Sequence, residues 1–392
     1  RNFVELCDRV TQEDEQVFKR LWTRLGLSYD WNEEYATIHE HCRRISQYSF
    51  LTLLEQGEVY QDERPVLWDV DFQTAIAQAE LVDKERPSAY HHLRFAVRDA
   101  DDHLVIATTR PELLAACVAV VVHPDDARYA AYVGQQAVTP LFHVPVPILT
   151  DAKADPEKGT GVVMVCTFGD QTDIEWWRDF KLPLRQIIGR DGHLLPAHFT
   201  PEGAPPDGDT QITTQEDGRE VVVSLPPSRV MPSLEPERAN AAYAELAGRY
   251  TRQAQRRIVE LLTEAGLTTR EPEAITHAVK FFEKGDRPLE LVPTRQWYTR
   301  IMDKKDALIA QGRKIQWHPD YMGKRYEHWV EGLNQDWCLS RQRYFGVPIP
   351  VWYRIDEHGE VRHDQRITPA LDALPVDPLS ATPPGFAEDQ RD

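Results

Sequence analysis

A change of hydrophobic period along the chain is the feature that most constrains the fold. Before residue 60, "EDEQVFKRLWTRLG" and "IHEHCRRISQYSFLTLLEQG" repeat apolar residues three and four apart, the spacing of one helix face, and each ends at a glycine, Gly26 or Gly57. Pro87 closes this region. Beyond it the period shortens: "YHHLRFAV" and "HLVIATT" alternate or run apolar over strand lengths, and "VTPLFHVPVPIL" is proline-rich enough to read as edge strand and loop. Short helices are expected at 125–133 and 170–179 among these strands. Helical spacing returns in "TRQAQRRIVELLTEAG", where Ala254, Ile258, Leu261, Leu262 and Ala265 share a face, and the region from about Thr276 holds another amphipathic helix ending near Gly312. "TPEGAPPDGDTQITTQEDGRE" is polar and rich in proline and glycine, a surface excursion. The last stretch, "DQRITPALDALPVDPLSATPPGFAEDQRD", has almost no core-forming pattern and reads as a disordered or truncated tail. The expected class is α/β, with regions at 1–89, 90–276 and 277–392.

A chain of 392 residues with 41% hydrophobic content suffices for two or three domain cores. No apolar run approaches the roughly 20 residues of a membrane span, and charges interrupt the N-terminal "RNFVELCDRV", so a cytoplasmic protein without a membrane partner is expected. The five cysteines form no CxxC pair and no zinc spacing, which predicts reduced structural thiols and no metal. A net charge of −18 argues against nucleic-acid binding by bulk attraction. Locally, 280–314 carries nine basic residues against five acids, a strip of +4 that fits either a polyanion contact or a solvated helix face.

Polar groups gather at three places inside the β-patterned region. In "IATTRPELLAACVAV", Thr108 and Thr109 end a strand, Arg110 and Pro111 turn the chain, and Glu112 starts the next element, so the hydroxyls can face a cleft. The same residues also fit ordinary β-formers and a surface ion pair. Asp170 and Asp173, three apart, share one face of a helical turn, a spacing that also suits N-terminal capping. The Gly159-Thr160-Gly161 turn allows close backbone approach.

At "DWCLSRQRYFGVPIPVWY", with Asp336, Trp337, Ser340, Arg341, Gln342, Gly346, Pro348 and Pro350, the chain resembles the class I aminoacyl-tRNA synthetases for branched aliphatic amino acids. "TTRPE", "HPDDARY" and "KGTGVVMVCTFGDQTDIE" are similar to the editing domain that valyl-, isoleucyl- and leucyl-tRNA synthetases carry inserted in their nucleotide-binding fold. Several long motifs in order are far more specific than one short pattern. The resemblance covers nearly the whole chain and is strongest to the valyl family, with isoleucyl as closest rival. It implies a β-rich editing domain inserted into parts of a Rossmann-type catalytic fold. The HIGH-type and KMSKS-type signatures for ATP are absent from this sequence, which predicts an internal piece that cannot activate valine.

Editing answers a limit of binding: a hydrophobic pocket rejects a hydroxyl-bearing isostere only about 10²-fold, a figure documented for valyl-tRNA synthetases themselves. The resemblance implies that Asp173 holds the α-ammonium of a mischarged threonyl ester on tRNA(Val), that Asp170 positions the terminal adenosine or water, and that Thr108 and Thr109 wall the pocket. Arg110, Glu112, Gly159, Thr160, Gly161, Cys166 and Phe168 would contact substrate, and Phe345 would wall the valine pocket of the synthetic site. No Ser or Cys nucleophile with a His partner is evident, so a positioned water is expected to hydrolyse the ester without a cofactor, ATP and Mg serving only the full-length synthetase. The sequence departs from its relatives in having Met164 for a lysine, Cys166 for a threonine, Gly169 for a histidine and Phe345 for a tryptophan. That makes the editing pocket less polar and the synthetic pocket's wall smaller. The expected activity is deacylation of threonyl-tRNA(Val) by a monomer. The alternatives are an isoleucyl-type editor of valyl-tRNA(Ile) and a non-catalytic fragment binding tRNA through the 280–314 strip.

Overall fold

The computed structural model describes residues 2–204, 210–216, 219–333, 335–357, 359 and 361–389. It contains two compact units, one built from Arg1–Glu63 with Arg295–Asp392 and the other from the intervening Arg64–Thr294. Helix α2 (Glu40–Glu55) forms where the helical spacing places it, whereas α1 (Asn2–Arg24) starts well before the Glu13–Gly26 stretch that carries the spacing. The chain leaves the first unit along β1 (Val59–Asp69).

The second unit continues with β2 (Thr74–Ala75), β3 (Leu81–Val97), β4 (His103–Thr108), β5 (Cys117–Val122), β6 (Gln136–Val138), β7 (Pro145–Thr150) and β8 (Val162–Cys166). Helix α3 (Gln171–Asp179) follows, then β9 (His198–Pro201), the hairpin β10 (Gln211–Glu216) and β11 (Arg219–Ser224), β12 (Val230–Ser233), α4 (Pro236–Ala244), α5 (Thr251–Glu264) and β13 (Glu273–Phe282). The polar excursion thus includes a hairpin, while its residues 205–209 and 217–218 lie outside the described residues. Strand β14 (Glu290–Thr299) returns to the first unit, which ends with α6 (Lys305–Gly312), α7 (Tyr321–Glu331), β15 (Trp337–Cys338), β16 (Trp352–Ile355), β17 (Val361–Ile367) and β18 (Phe386–Glu388).

The architecture is mixed α/β, a β-rich unit inserted into a discontinuous one. The largest sheet of the insert has the order β13-β3-β6-β7-β5-β8, with β4 also on β3. All six residues of β5, "CVAVVV", are buried, because apolar layers cover both its faces. Cys117, Val120 and Val122 face a core shared with Ala254, Ile258 and Leu262 of α5, whereas Val118, Ala119 and Val121 pack with Trp176 of α3. Burying each such large apolar side chain contributes about 1.5–3 kcal/mol, and this two-sided cover fixes α3 and α5 around one strand. The first unit has its own small core of Val59, Trp297, Val351 and Tyr353, supported by Phe50, Leu53 and Leu54.

Several local expectations are corrected. Pro87 does not end a region but sits inside β3, opposite Thr276 of β13, so the boundaries drawn at 90 and 276 both fall within paired strands. On its other side β3 gains a partner only from His91 onward, so the missing proline N–H breaks no ladder there. β7 lies between β6 and β5 rather than at an edge. Its prolines 145 and 147 pair with β6, and β5 joins only at Ile148. Residues 125–133 form turns and the short 3-10 helix Ala130–Tyr132, held by the Arg128–Asp126 ion pair at 2.6 Å. The helix ending at Gly312 is only α6, since 273–282 and 290–299 are strands.

That change breaks up the basic strip, five of whose nine basic residues pair with acids outside it. Lys280 pairs with Asp83, Arg287 with Asp71, Arg295 with Glu63, Lys304 with Glu58 and Arg313 with Glu327, all within 3.3 Å. The tail is also more ordered than its pattern suggested: β18 pairs with β16, and the Trp352 indole donates to the Pro378 carbonyl at 3.1 Å.

Candidate functional site

Burial alternates along β4, with Leu104, Ile106 and Thr108 inward, so Thr108 ends an apolar row with a hydroxyl. That oxygen accepts the Arg110 backbone N–H at 3.1 Å and turns the chain into the 3-10 helix Pro111–Ala116, every residue of which is buried. The next carbonyl, of Thr109, accepts the Gln255 side chain of α5 at 2.9 Å. The polar corner is therefore fixed from both sides.

Arg110 bridges two acids. Its Nε donates to Glu112 at 2.9 Å and its Nη2 to Glu290 at 2.7 Å, and these carboxylate side chains are only 5% and 8% exposed. Burial pushes the Glu112 carboxyl up from its usual range and the Arg110 guanidinium pulls it back. Burial also opposes the charge on Arg110, but the two carboxylates more than offset it and hold the group above its ordinary value. One base between two acids leaves excess negative charge, and Glu112 Oε2 has no partner among the described residues. A buried acceptor without a donor loses its solvation uncompensated, so it favours any donor brought to it.

β8 ends at Cys166, which faces Cys117 of β5 across the ladder. Burial, reinforced by Cys117 and Asp173, pushes the Cys166 thiol well up while Arg110 acts in the opposite sense, so this is a protonated, unreactive thiol that lies within the field of both Arg110 and Asp173. The Thr167 hydroxyl exchanges hydrogen bonds with the Arg185 backbone, 2.9 Å each way, and the buried Arg185 guanidinium donates to the Cys117 carbonyl. Phe168 is buried edge-on to Trp177, ring centres 5.3 Å apart.

At the start of α3 the two aspartates separate in role. Asp170 is the N-cap, its Oδ1 accepting from the backbone N–H of Thr172 at 2.8 Å and of Asp173 at 3.1 Å. Asp173 folds back instead, its Oδ2 accepting the Gly169 N–H at 2.8 Å. A Cβ on Gly169 would lie 2.6 Å from that oxygen and 3.4 Å from Leu113 Cδ1, so a side chain there would displace the carboxylate. Burial pushes the Asp173 carboxyl well above the usual range, and the charge of Asp170 adds to this; backbone donors only partly oppose them. Among the described residues no lysine, arginine or histidine forms an ion pair with Asp173.

The structure thus brings together Thr108, Thr109, Arg110, Glu112, Cys166, Phe168, Asp170 and Asp173. Gly159 and Gly161, at φ +64° and +80°, turn the neighbouring loop. A Cβ at Gly159 would lie 3.0 Å from Ala107 Cβ of β4 and one at Gly161 2.6 Å from Arg128 Nη2, and the Thr160 carbonyl accepts the Tyr129 hydroxyl at 2.8 Å. Phe345 is half-buried in the other unit. Sequence reasoning missed Glu290, Arg185 and Gln255. Glu290 had a signal, a lone acid inside the apolar run "LELV", since a buried carboxylate demands a partner. Arg185 and Gln255 had none, because their partners are backbone carbonyls distant in sequence. Among the described residues no group of three potential metal-binding side chains occurs.

A family profile described as "tRNA synthetases class I (I, L, M and V)" matches residues 1–373. Similar curated proteins include a valine–tRNA ligase of Thermobifida fusca (strain YX), 51% identical over the whole of this chain and 41% of its own length. Another, from Salinispora arenicola (strain CNS-205), is 50% identical over the whole chain and 42% of its length. The chain spans about two fifths of the length of these relatives. A ternary complex of an Agrobacterium radiobacter K84 LeuRS with tRNA and LeuAMS aligns over 94% of the chain and 41% of its own, at 18% identity and a TM-score of 0.29.

Proposed function

Because the chain belongs to the class I tRNA synthetases of the I, L, M and V group, we propose that its second unit is the editing domain of a valine–tRNA ligase and hydrolyses threonyl-tRNA(Val). The first unit then holds parts of the Rossmann-type catalytic fold, with Phe345 beside the valine pocket. The observation that carries the reading is Asp173, a buried carboxylate with no cation paired to it among the described residues, beside an acid-rich cluster. Burial raises the cost of its charge, and the α-ammonium of an aminoacyl ester would supply the positive group that offsets this.

The ammonium contact orients the ester, and Thr108, Thr109 and the open Glu112 oxygen line the polar side on which a threonine hydroxyl finds an acceptor. Valine offers a methyl there and leaves those acceptors unpaired. Water adds to the ester carbonyl carbon, the bond to the terminal ribose oxygen breaks, and that oxygen takes the proton as threonine leaves. The buried, protonated Cys166 takes no covalent part. ATP and Mg belong to amino-acid activation in the full-length ligase and enter no step of this hydrolysis.

The test is Asp173→Asn, which keeps an oxygen for the Gly169 N–H and removes the charge. Deacylation of threonyl-tRNA(Val) is expected to fall about 10²-fold, as for a lost charge-assisted contact of about 2–3 kcal/mol. Full activity in this variant would remove the ammonium-binding role. Preferential hydrolysis of valyl-tRNA(Ile) by the unsubstituted chain would instead select the isoleucyl reading.

A further inference from the structure

The acidic chain must still meet a polyanion if it edits a tRNA, and five of the nine basic residues at 280–314 are tied up in ion pairs. Helix α5 offers a different surface. Its buried face consists of Thr251, Ala254, Ile258 and Leu262. Arg252, Arg256, Val259 and Thr263 follow at intervals of four, three and four, and so form a separate stripe along the helix. Arg252 and Arg256 are both exposed, and neither has an acid partner among the described residues. The acids nearby are already taken: Arg257 pairs with Glu245 at 3.4 Å, Glu260 at 2.8 Å and Glu264 at 3.6 Å.

The stripe is also placed at the site. Gln255, between the two arginines in sequence, holds the Thr109 carbonyl. At its other end Val259 and Thr263 enter the wall of a polar cavity of about 260 Å³, with His91, Thr268 and Thr269 also lining it. Arg270 of that cavity is paired with Glu273 at 3.3 Å and adds no free charge.

Resting on the editing function proposed above, we propose that the Arg252–Arg256 stripe of α5 is the docking track for the polynucleotide whose 3′ end enters the site, each arginine taking one backbone phosphate. The helical rise sets the two guanidinium stems about 6 Å apart along the axis, so they can serve separate phosphates of one strand. Contacts of this kind position the nucleic acid without reading its sequence.

The test measures binding of a tRNA acceptor-stem minihelix to this chain over a range of salt concentrations, with and without Arg252→Ala plus Arg256→Ala. Both side chains are exposed, so thermal melting is expected to be unchanged. Affinity at low salt should fall about tenfold, and the slope of log K against log salt should shrink by about 1.4 to 1.8, the loss of two phosphate contacts. An unchanged slope, or no binding by the unsubstituted chain at low salt, would overturn the proposal. A second arm compares threonyl-minihelix with threonyl-adenosine: the double variant should hydrolyse the first more slowly at low concentration and the second at the parent rate. Equal losses on both would place the arginines' effect in the site itself and overturn the track. If the unsubstituted chain hydrolyses neither ester, the editing function fails while the salt titration still decides the track.

Discussion

Replacing Arg110 by methionine tests whether the buried triad is a true structural centre. Its guanidinium is the counter-charge for two carboxylates, Glu112 at 2.9 Å and Glu290 at 2.7 Å. At an effective dielectric of about 20, two charges about 4 Å apart attract by about 4 kcal/mol, so two contacts give about 8 kcal/mol. Desolvating the arginine costs several kcal/mol of that. The net loss on removing it is then about 3–5 kcal/mol, the range seen when one partner of a buried pair is deleted. Methionine fills part of the stem volume, so the loss is chiefly electrostatic. The sign with pH follows. Without Arg110 the Glu112 carboxyl keeps the burial that raises it and loses the charge that opposed this, so the folded state binds more protons than the unfolded. Stability should therefore be highest below the ordinary carboxylate range and fall as pH rises. Denaturant unfolding of the Arg110→Met chain, followed by Trp fluorescence between pH 4 and 8, measures both effects. A loss below about 1 kcal/mol with no pH dependence would refute the triad as a buried charge centre. Adding Glu112→Gln and Glu290→Gln should restore most of the loss.

Three further outcomes are expected. Asp173→Asn should stabilise the chain at neutral pH and equal the parent at low pH, because a carboxyl whose pKa is raised by burial favours folding only while protonated; pH-dependent melting checks this. Asp170→Ala should cost about 1 kcal/mol, the usual value of an N-cap, with Asp170→Asn near the parent in thermal melts. Gly169→Ala puts a methyl 2.6 Å from Asp173 Oδ2, too close for the carboxylate to stay in place, so threonyl-tRNA(Val) deacylation should fall about tenfold or more; an unchanged rate would show that the carboxylate need not rest on the Gly169 N–H.

Much of the layout was legible where one face of an element is buried. The α5 face Ala254, Ile258 and Leu262 follows directly from helical spacing, and the Thr108 turn follows from alternation along β4. Prolines misled, because Pro87 and Pro147 sit in paired strands at places where only one side of the strand is bonded. A local pattern cannot show which side that is. The 280–314 basic strip misled for a related reason: sequence counts charges along the chain, whereas Lys280 and Arg287 find Asp83 and Asp71 from a strand and a turn some 200 residues earlier. In the site, Asp170 and Asp173 were visible as a pair, but their division into cap and buried acid depends on the Gly169 backbone. Glu290 became meaningful only once the fold brought it to Arg110.

The most direct measurement sets the two esters side by side on one tRNA: this chain is mixed with threonyl-tRNA(Val) or valyl-tRNA(Val), and release of the amino acid is followed against buffer. Threonine should be released well above the buffer rate while the valyl ester is spared, because only threonine satisfies the buried acceptors. Release of valine as fast as threonine, or of neither above buffer, would contradict the proposed editing function.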